Sequence, residues 1–292
     1  MGRPLDEVPS PRSEMGDRVL VFIPCYNCEP QIRRVLEQFA DLPDAPIHEL
    51  LVIDNGSRDG TVQAAVEALA GLPDLRATIV RNVANYNLGG SHKAAFRFAA
   101  DNGFSHVVVL HGDDQASLAD VLPILQRGAH RQYDACLGAR FMPGSQLLGY
   151  SPIRRWGNAV FNRLFSLCAG QRVYDLGSGL NVFARSVFSG DALLRYPDDL
   201  RFNVYVLLGL FDRGLRTSFF PISWREEDQI SNVRIVSQSL RTLYVAGEYL
   251  LNRSRFRHGE HRAVPRSSYP FEVVVRRDGG PAQDDVRAPR AE

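Results

Sequence analysis

The chain has 292 residues, 45% of them apolar and 23% charged, with a formal net charge of +1. That apolar content suffices for one large α/β core or two modest ones, and the near-neutral charge supplies no long-range field for nucleic acid. No run of about 18 apolar residues occurs, so no transmembrane helix is expected. Residues 1–17 are rich in proline and charge, without the apolar stretch of a secretory signal, and are expected to be disordered. A cytoplasmic location follows as an expectation. Residues 18–258 carry dense α/β patterning and are expected to form one catalytic domain, split into halves at 18–140 and 141–258. Residues 259–292 turn polar and proline-rich, a partly disordered extension in which residues 271–275 have the composition of one short strand.

In chain order, residues 19–23 (Val-Leu-Val-Phe-Ile) read as a buried strand stopped by Pro24. Pro30 suits the first turn of a helix whose apolar face is Ile32, Val35, Leu36 and Phe39. Residues 50–53 form a second strand, then a turn over residues 54–60, with Thr61 expected as N-cap of the next helix. A third strand at 77–80, a helix from about Gly90 to Asn102, and a fourth strand at 107–110 follow. Such alternation specifies a mostly parallel sheet with helices on both faces. Neither a G-x-G-x-x-G after the first strand nor a phosphate-binding G-x-x-x-x-G-K-[ST] loop is present. Of the four cysteines, Cys25 and Cys28 have redox or zinc spacing. No second pair completes a structural zinc site, so they read as unpaired loop thiols.

The fourth strand runs into His111, Gly112, Asp113, Asp114 and Gln115. Carboxylates and an imidazole at the carboxyl end of a buried strand sit where open α/β sheets bind ligands, and such groups can hold a divalent cation against a diphosphate. The alternative is an acidic turn that merely ends a strand.

Three strand ends now align. They are Ile-Pro-Cys-Tyr-Asn at 23–27, Val-Ile-Asp-Asn-Gly-Ser-Arg-Asp-Gly-Thr at 52–61, and Leu-His-Gly-Asp-Asp-Gln at 110–115. The segment Asn85-Tyr-Asn-Leu-Gly-Gly90 lies between the last two. This order resembles the family-2 glycosyltransferases of GT-A fold. The resemblance implies that Pro24, Tyr26, Asn27, Asp54, Gly56, Asn85, Gly89, Gly90, Gly112 and Asp113 lie about a nucleotide-sugar, with Asp54 accepting from the base. For Asp54 and Asp59 the alternative is a turn that satisfies its own backbone. Gly89 and Gly90 precede a helix whose N-terminus suits phosphate, while Lys93 reads as a surface residue. Where the family places the first acid of its metal motif, this chain has His111. Asp113 keeps the second, so Asp113 and His111 are the candidate ligands for Mg²⁺ or Mn²⁺. Fewer carboxylates should weaken Mg²⁺, a hard cation.

Residues 134–258 resemble the polyprenyl-phosphate sugar transferases of the dolichol-phosphate-mannose synthase type. Asp-Ala-Cys-Leu-Gly-Ala-Arg-Phe at 134–141, Arg154, Arg155 and Asn162, Asp-Leu-Gly-Ser-Gly at 175–179, and Trp224-Arg225 carry the likeness. It implies acceptor or phosphate contacts at Arg140, Arg154, Ser178 and Arg225, and a catalytic role for Asp113, Asp175 and Arg225. Asp175 stands as base or as orienter of another group. Two departures, Asn181 in place of arginine and Asn232 in place of lysine, remove positive charge, and Glu226, Glu227 and Asp228 add acid. These changes favour a sugar hydroxyl over a phosphate as acceptor.

The implied activity is inverting transfer of a sugar from a nucleotide-sugar to a polyprenyl-phosphate or glycan hydroxyl in cell-envelope glycan synthesis. The rivals are a catalytically degenerate nucleotide-binding relative and a sugar nucleotidyltransferase. The helix at 153–167 is amphipathic, with Trp156, Val160, Phe161, Leu164 and Phe165 beside Arg154, Arg155 and Arg163. It suits either an interfacial helix at the inner face of the membrane or one packed on the sheet.

Overall fold

The structure, a computed structural model, describes residues 17–40, 46–226 and 235–279. Residues 1–16, 280–292 and Glu227, Asp228 and Asn232 of the arginine loop lie outside the described residues, so the expectations placed on them do too.

The first half alternates as its pattern dictates. β1 (Val19–Cys25) is followed by α1 (Glu29–Glu37), with Pro30 in its first turn and Ile32, Val35 and Leu36 buried. β2 (Ile47–Asp54), α2 (Thr61–Ala70), β3 (Ala77–Asn82), α3 (Asn87–Asp101) and β4 (His106–Leu110) complete it. After the short α4 (Leu122–Gln126) come β5 (Ala135–Ala139), β6 (Gln146–Leu148) and α5 (Pro152–Ala169). The remainder is β7 (Leu180–Ala184), α6 (Arg185–Phe188), α7 (Phe202–Asp212), β8 (Thr217–Pro221), β9 (Ser223–Arg225), α8 (Ile235–Leu251), α9 (Arg253–His258) and β10 (Phe271–Arg277).

Eight strands form one sheet in the order β10-β3-β2-β1-β4-β7-β5-β8, while β6 and β9 pair separately. Neighbours are parallel from β3 through β2 and β1 to β4, and again between β5 and β8. β7 runs antiparallel to both β4 and β5, and β10 antiparallel to β3. The strands inside the sheet, from β2 to β5, are buried on both faces, as a crossover-connected sheet requires, while β10 at one edge is largely open. Along β1 the side chains alternate: Leu20 and Phe22 join the cluster under α3 and α7, whereas Val19, Val21 and Ile23 join the cluster under α1 and α2. Burying each such side chain is worth roughly 1.5–3 kcal/mol.

Three expectations are corrected. α3 begins at Asn87 rather than near Gly90, its entry made by a left-handed Asn87 with φ of 56°. Thr61 is the first helical residue rather than the cap: Gly60 stands at the N-cap, and Asp59 Oδ1 accepts from the Thr61 N–H at 3.1 Å. Lys93, read as a surface residue, is buried. Its Nζ donates to the Tyr196 carbonyl at 2.5 Å and to Asp198 Oδ1 at 2.6 Å, and lies 3.3 Å from the Tyr269 hydroxyl. Helical spacing put Lys93 beside the apolar Phe96, but only tertiary structure brings Asp198 to it.

Candidate active site

β1 lies between β2 and β4, so the chain connections diverge on either side of it and leave a crevice at the carboxyl ends of the strands. Cys25 pairs with Asp54, and the Gly112 N–H donates to the Pro24 carbonyl at 3.1 Å. Pro24 to Asn27, Asp54 to Ser57, and His111 to Asp114 therefore share one edge. Close packing fixes this meeting. A Cβ at Gly112 would lie 2.7 Å from Cys25 Sγ and 3.0 Å from the Pro24 carbonyl oxygen, so only glycine lets the loop settle on β1. Cys25 and Cys28 are free, buried thiols beneath that loop.

On the β2 side, Asp54 is buried and its carboxylate accepts from the N–H groups of Gly56 and Ser57 at 3.1–3.2 Å. Arg81 Nε approaches it at 3.3 Å. Asp54 thus shapes its own turn, with Gly56 at a φ of 80° that suits glycine. Asn27, also left-handed at φ 50°, bridges the two turns: its N–H donates to Ser57 Oγ and its Oδ1 accepts from the Arg58 N–H, both at 2.9 Å. Tyr26 is 44% exposed at the crevice. Asn85 Oδ1 accepts from Asn55, whose own Oδ1 accepts from Asn82 and the Tyr86 N–H. Sequence reasoning singled out Asn85 and missed Asn55, the centre of the knot. The only signal was a run of asparagines after two adjacent strands.

Gly89 and Gly90 answer to packing. The Gly89 N–H donates to the Asp198 carbonyl at 2.6 Å, and a Cβ there would lie 2.5 Å from the Pro197 carbonyl oxygen. A Cβ at Gly90 would lie 2.5 Å from the Tyr86 Cβ. The first turn of α3 thus meets protein at both glycines.

At the end of β4, the His111 Nδ1 lies 4.0 Å from Asp113 Oδ2. Burial, and then the positive charge of Arg140, pull the His111 pKa down to about 4, so the imidazole is neutral at pH 7 with a lone pair to offer. Its Nε2 is buried with no hydrogen-bond partner among the described residues. The Asp113 side chain keeps 37% of its surface open, yet desolvation by the surrounding walls pushes its pKa up to about 6. A bound cation would reverse that shift by favouring the anion. One carboxylate and one neutral imidazole at this separation fit a borderline cation such as Mn²⁺ better than Mg²⁺.

Asp114 has the opposite character. It is buried and left-handed at φ 57°, and its carboxylate is gripped by Arg34 Nε at 2.6 Å and Arg225 Nη2 at 2.5 Å. Gln38 Nε2 adds a bond at 3.3 Å. Arg34 and Gln38, the C-cap of α1, stand one turn apart, a spacing visible in the sequence whose target was not. Arg225 also donates from Nε to the Asp114 carbonyl at 2.8 Å, so it clamps the loop that carries Asp113.

On the other side of the crevice, Asp175 is filled. Oδ2 accepts from the Arg140 N–H at 2.9 Å and from Nε at 2.8 Å. Oδ1 accepts from Arg140 Nη2 at 2.8 Å and the Gly177 N–H at 3.2 Å. Four donors occupy the four lone-pair positions of a carboxylate. The Asp175 charge in turn holds Arg140 more firmly protonated. Arg140 stacks 4.8 Å over the Trp224 ring. Ser178 is buried, its Oγ donating to the Leu180 carbonyl at 3.1 Å. Asn181 stitches β7 to β5 through its Oδ1 and the Gly138 N–H at 3.2 Å. A cavity of about 20 Å³, room for a water or two, lies beside Asp175, Ser178, Asn181, His92 and Asn203. Arg154 pairs with Glu226 at 2.5 Å and lies over Tyr150.

The open crevice at the carboxyl ends of β1, β2 and β4 is where α/β sheets of this kind hold ligands, and similarity specifies the chain's class further. The pattern of the glycosyl transferase family 2 matches residues 20–190, and the chain belongs to that family. It is 27% identical to glycosyltransferase AglJ of Haloferax volcanii, over 71% of this chain and 63% of that protein. It is 26% identical to polyprenol monophosphomannose synthase of Mycolicibacterium smegmatis, over 58% of this chain and 63% of that protein. The chain thus spans somewhat less than two thirds of these curated relatives. Among solved structures, glucosyl-3-phosphoglycerate synthase from Mycobacterium tuberculosis with uridine diphosphate superposes at a TM-score of 0.59 and 16% identity, covering 80% of each chain. The same enzyme with Mn²⁺, uridine diphosphate and glucosyl-3-phosphoglycerate gives 0.56 and 17%, over 88% of this chain and 87% of that one. These likenesses establish the GT-A fold.

Proposed function

We propose that this chain is an inverting glycosyltransferase that moves a sugar from a nucleotide-sugar to a polyprenyl phosphate. The observation that carries it is the meeting of the Asp54 turn, the Asn27 turn and the His111–Asp113 loop along one edge in a family-2 chain. Asp113 and His111 are the residues that would hold Mg²⁺ or Mn²⁺, which when bound neutralises the departing diphosphate as a Lewis acid. Tyr26 offers a ring for the base, and Asp54 and Asn27 hold the two turns that flank it. Arg225 fixes the Asp113 loop through Asp114. Asp175 acts as the orienter of Arg140, whose guanidinium edge bounds the acceptor side.

The acceptor reading turns on Asp175. A sugar hydroxyl needs a general base, and a phosphate does not. With both Asp175 oxygens saturated by Arg140 and Gly177, the carboxylate expected to serve as base is occupied, which supports a phosphate acceptor. The charge changes at Asn181 and Glu226 lose their weight against phosphate: Asn181 is a strand-to-strand stitch, and Glu226 is neutralised by Arg154.

No helix among the described residues is long and apolar enough to cross a membrane. Peripheral contact is the better fit. On α5, Phe165 packs inward, while Ile153, Trp156 and Leu167 are 81%, 73% and 82% exposed beside Arg155 and Arg163. The neighbouring α8 exposes Leu240, Leu243 and Tyr244. Apolar side chains with an indole and flanking arginines suit an anionic lipid surface.

The test is turnover. The full chain is incubated with UDP-, GDP-, CDP- and dTDP-sugars, a polyprenyl phosphate in detergent, and Mn²⁺ or Mg²⁺. A lipid-linked sugar from one donor, lost in Asp113→Ala, is the expected result. Transfer to a glycan hydroxyl but not to the lipid phosphate would move the acceptor reading. Undiminished turnover by Asp113→Ala would overturn the site.

A further inference from the structure

A second cluster stands at the opposite end of β4 from the crevice. His106 opens that strand, so the cluster lies four strand steps, roughly 13 Å, from Leu110. There Asp17, His106 and His130 bring one ligand atom each to within 4.8 Å of one another. His130 is fully buried, His106 nearly so, and their rings meet edge to face with centroids 4.6 Å apart. Three segments distant in sequence converge on the point: the entry to β1, the start of β4, and the 3₁₀ turn Ala129–Gln132.

The hydrogen bonds point to a cation. His130 Nδ1 lies 3.3 Å from the Ile124 carbonyl oxygen, which can only accept, so the proton belongs on Nδ1. Nε2 then presents a lone pair, and it faces Asp17 Oδ2 at 2.9 Å. A lone pair against a carboxylate oxygen at that distance is unfavourable unless a proton or a metal ion lies between. His106 Nδ1 faces the same carboxylate, 3.9 Å from Oδ1, and is held by Ser105 Oγ at 3.0 Å. An imidazole whose far nitrogen donates to a backbone carbonyl is the usual support of a metal-ligating histidine.

We infer that Asp17, His106 and His130 form a binding site for a borderline divalent cation of the Zn²⁺ type, separate from the crevice. Two nitrogens and one oxygen suit Zn²⁺, with water in the fourth position. Bonds of roughly 2.0–2.2 Å require the ligand atoms to draw together slightly from their present spread. Bound there, the ion would tie the entry of β1 to β4 and to the 3₁₀ turn. The competitor is Arg131, whose Nε lies 2.5 Å from Asp17 Oδ2 and whose side chain is 43% exposed. It supplies the positive charge in the ion's absence and can swing into solvent when the ion arrives.

The experiment titrates chelator-stripped full chain with Co²⁺ and then Zn²⁺, without nucleotide. One Co²⁺ per chain should develop the intense visible absorption of a four-coordinate site, and Zn²⁺ should displace it. The signal should persist in a His111→Ala/Asp113→Ala double variant, and His106→Ala and His130→Ala should weaken binding at least tenfold. Arg131→Met should bind more tightly, by roughly 10-fold. That gain holds the test firm should either histidine variant fail to fold. Zn²⁺ should also raise the denaturation midpoint of the parent. No binding by the parent, binding lost with Asp113, or no gain in Arg131→Met would overturn the site.

Discussion

Asp113 and Asp114 are neighbours in sequence with opposite circumstances. Asp114 is neutralised by Arg34 and Arg225, whereas Asp113 has its pKa raised to about 6 by desolvation. The sign of that shift makes a test. A carboxyl whose folded value lies above its usual 3.8 penalises the folded state when ionised. The penalty is absent below the unfolded value, grows through the interval, and is complete above about 6. Without metal, Asp113→Asn should therefore be more stable than the parent at pH 8 and equal to it near pH 3.5, by chemical denaturation. With metal the order should invert, and Mn²⁺ affinity of the parent should fall as the pH drops below 6. His111 gives a second test. His111→Asp restores a hard oxygen donor and should tighten Mg²⁺ roughly 10-fold in calorimetry. Unchanged affinity would mean that position 111 does not ligate.

At the scale of elements, helix faces and strand ends were legible to different degrees. The four strands of the first half and the apolar stripe of α1 followed from period and punctuation, because burial on both faces leaves near-continuous apolar runs. β7 was not read as a strand; of its residues only Asn181 was singled out, as a departure from the family pattern. Five residues with a polar Asn181 carry little β signal, and its antiparallel course is set by neighbours β4 and β5. The turn residues Asp54 and Gly56 were visible as turn chemistry and Asn27 entered only through the family resemblance, but the partners of Arg140, Arg225 and Lys93 were not. Ion pairs with Asp175, Asp114 and Asp198 join residues 35, 111 and 105 positions apart, a separation no local pattern encodes. α5 shows the same limit. Its amphipathicity was plain, yet only packing separates the inward Phe165 from the outward Trp156. Ile153→Ser/Trp156→Ser should leave the fold and detergent activity intact and lower binding to anionic vesicles at least tenfold. Equal vesicle binding would remove α5 from the interface.

At the scale of the molecule, the polar segment at residues 259–279 is part of the fold. β10 pairs along the whole of β3, and Tyr269 packs edge to face on Tyr86 at 5.4 Å while accepting from the buried Lys93. A chain ending at His258 would bare the β3 edge and strip Lys93 of one partner. Its loss should be on the order of a third or more of a typical domain stability of ~5–15 kcal/mol, read as a lowered urea midpoint. Because Tyr86 adjoins the Asn55 knot, nucleotide binding should weaken as well. An unchanged midpoint would make β10 an ornament of the edge.

That strand also sets a timetable. β3 leaves the ribosome roughly 190 residues before its partner β10, an interval of roughly 10–40 s at ~5–20 residues per second. Through that interval the nascent sheet presents an unpaired edge of backbone N–H and C=O groups, the surface that recruits stray strands from other chains. The crevice assembled early from β1, β2 and β4 is thus built beside an open seam that the chain itself closes only with β10.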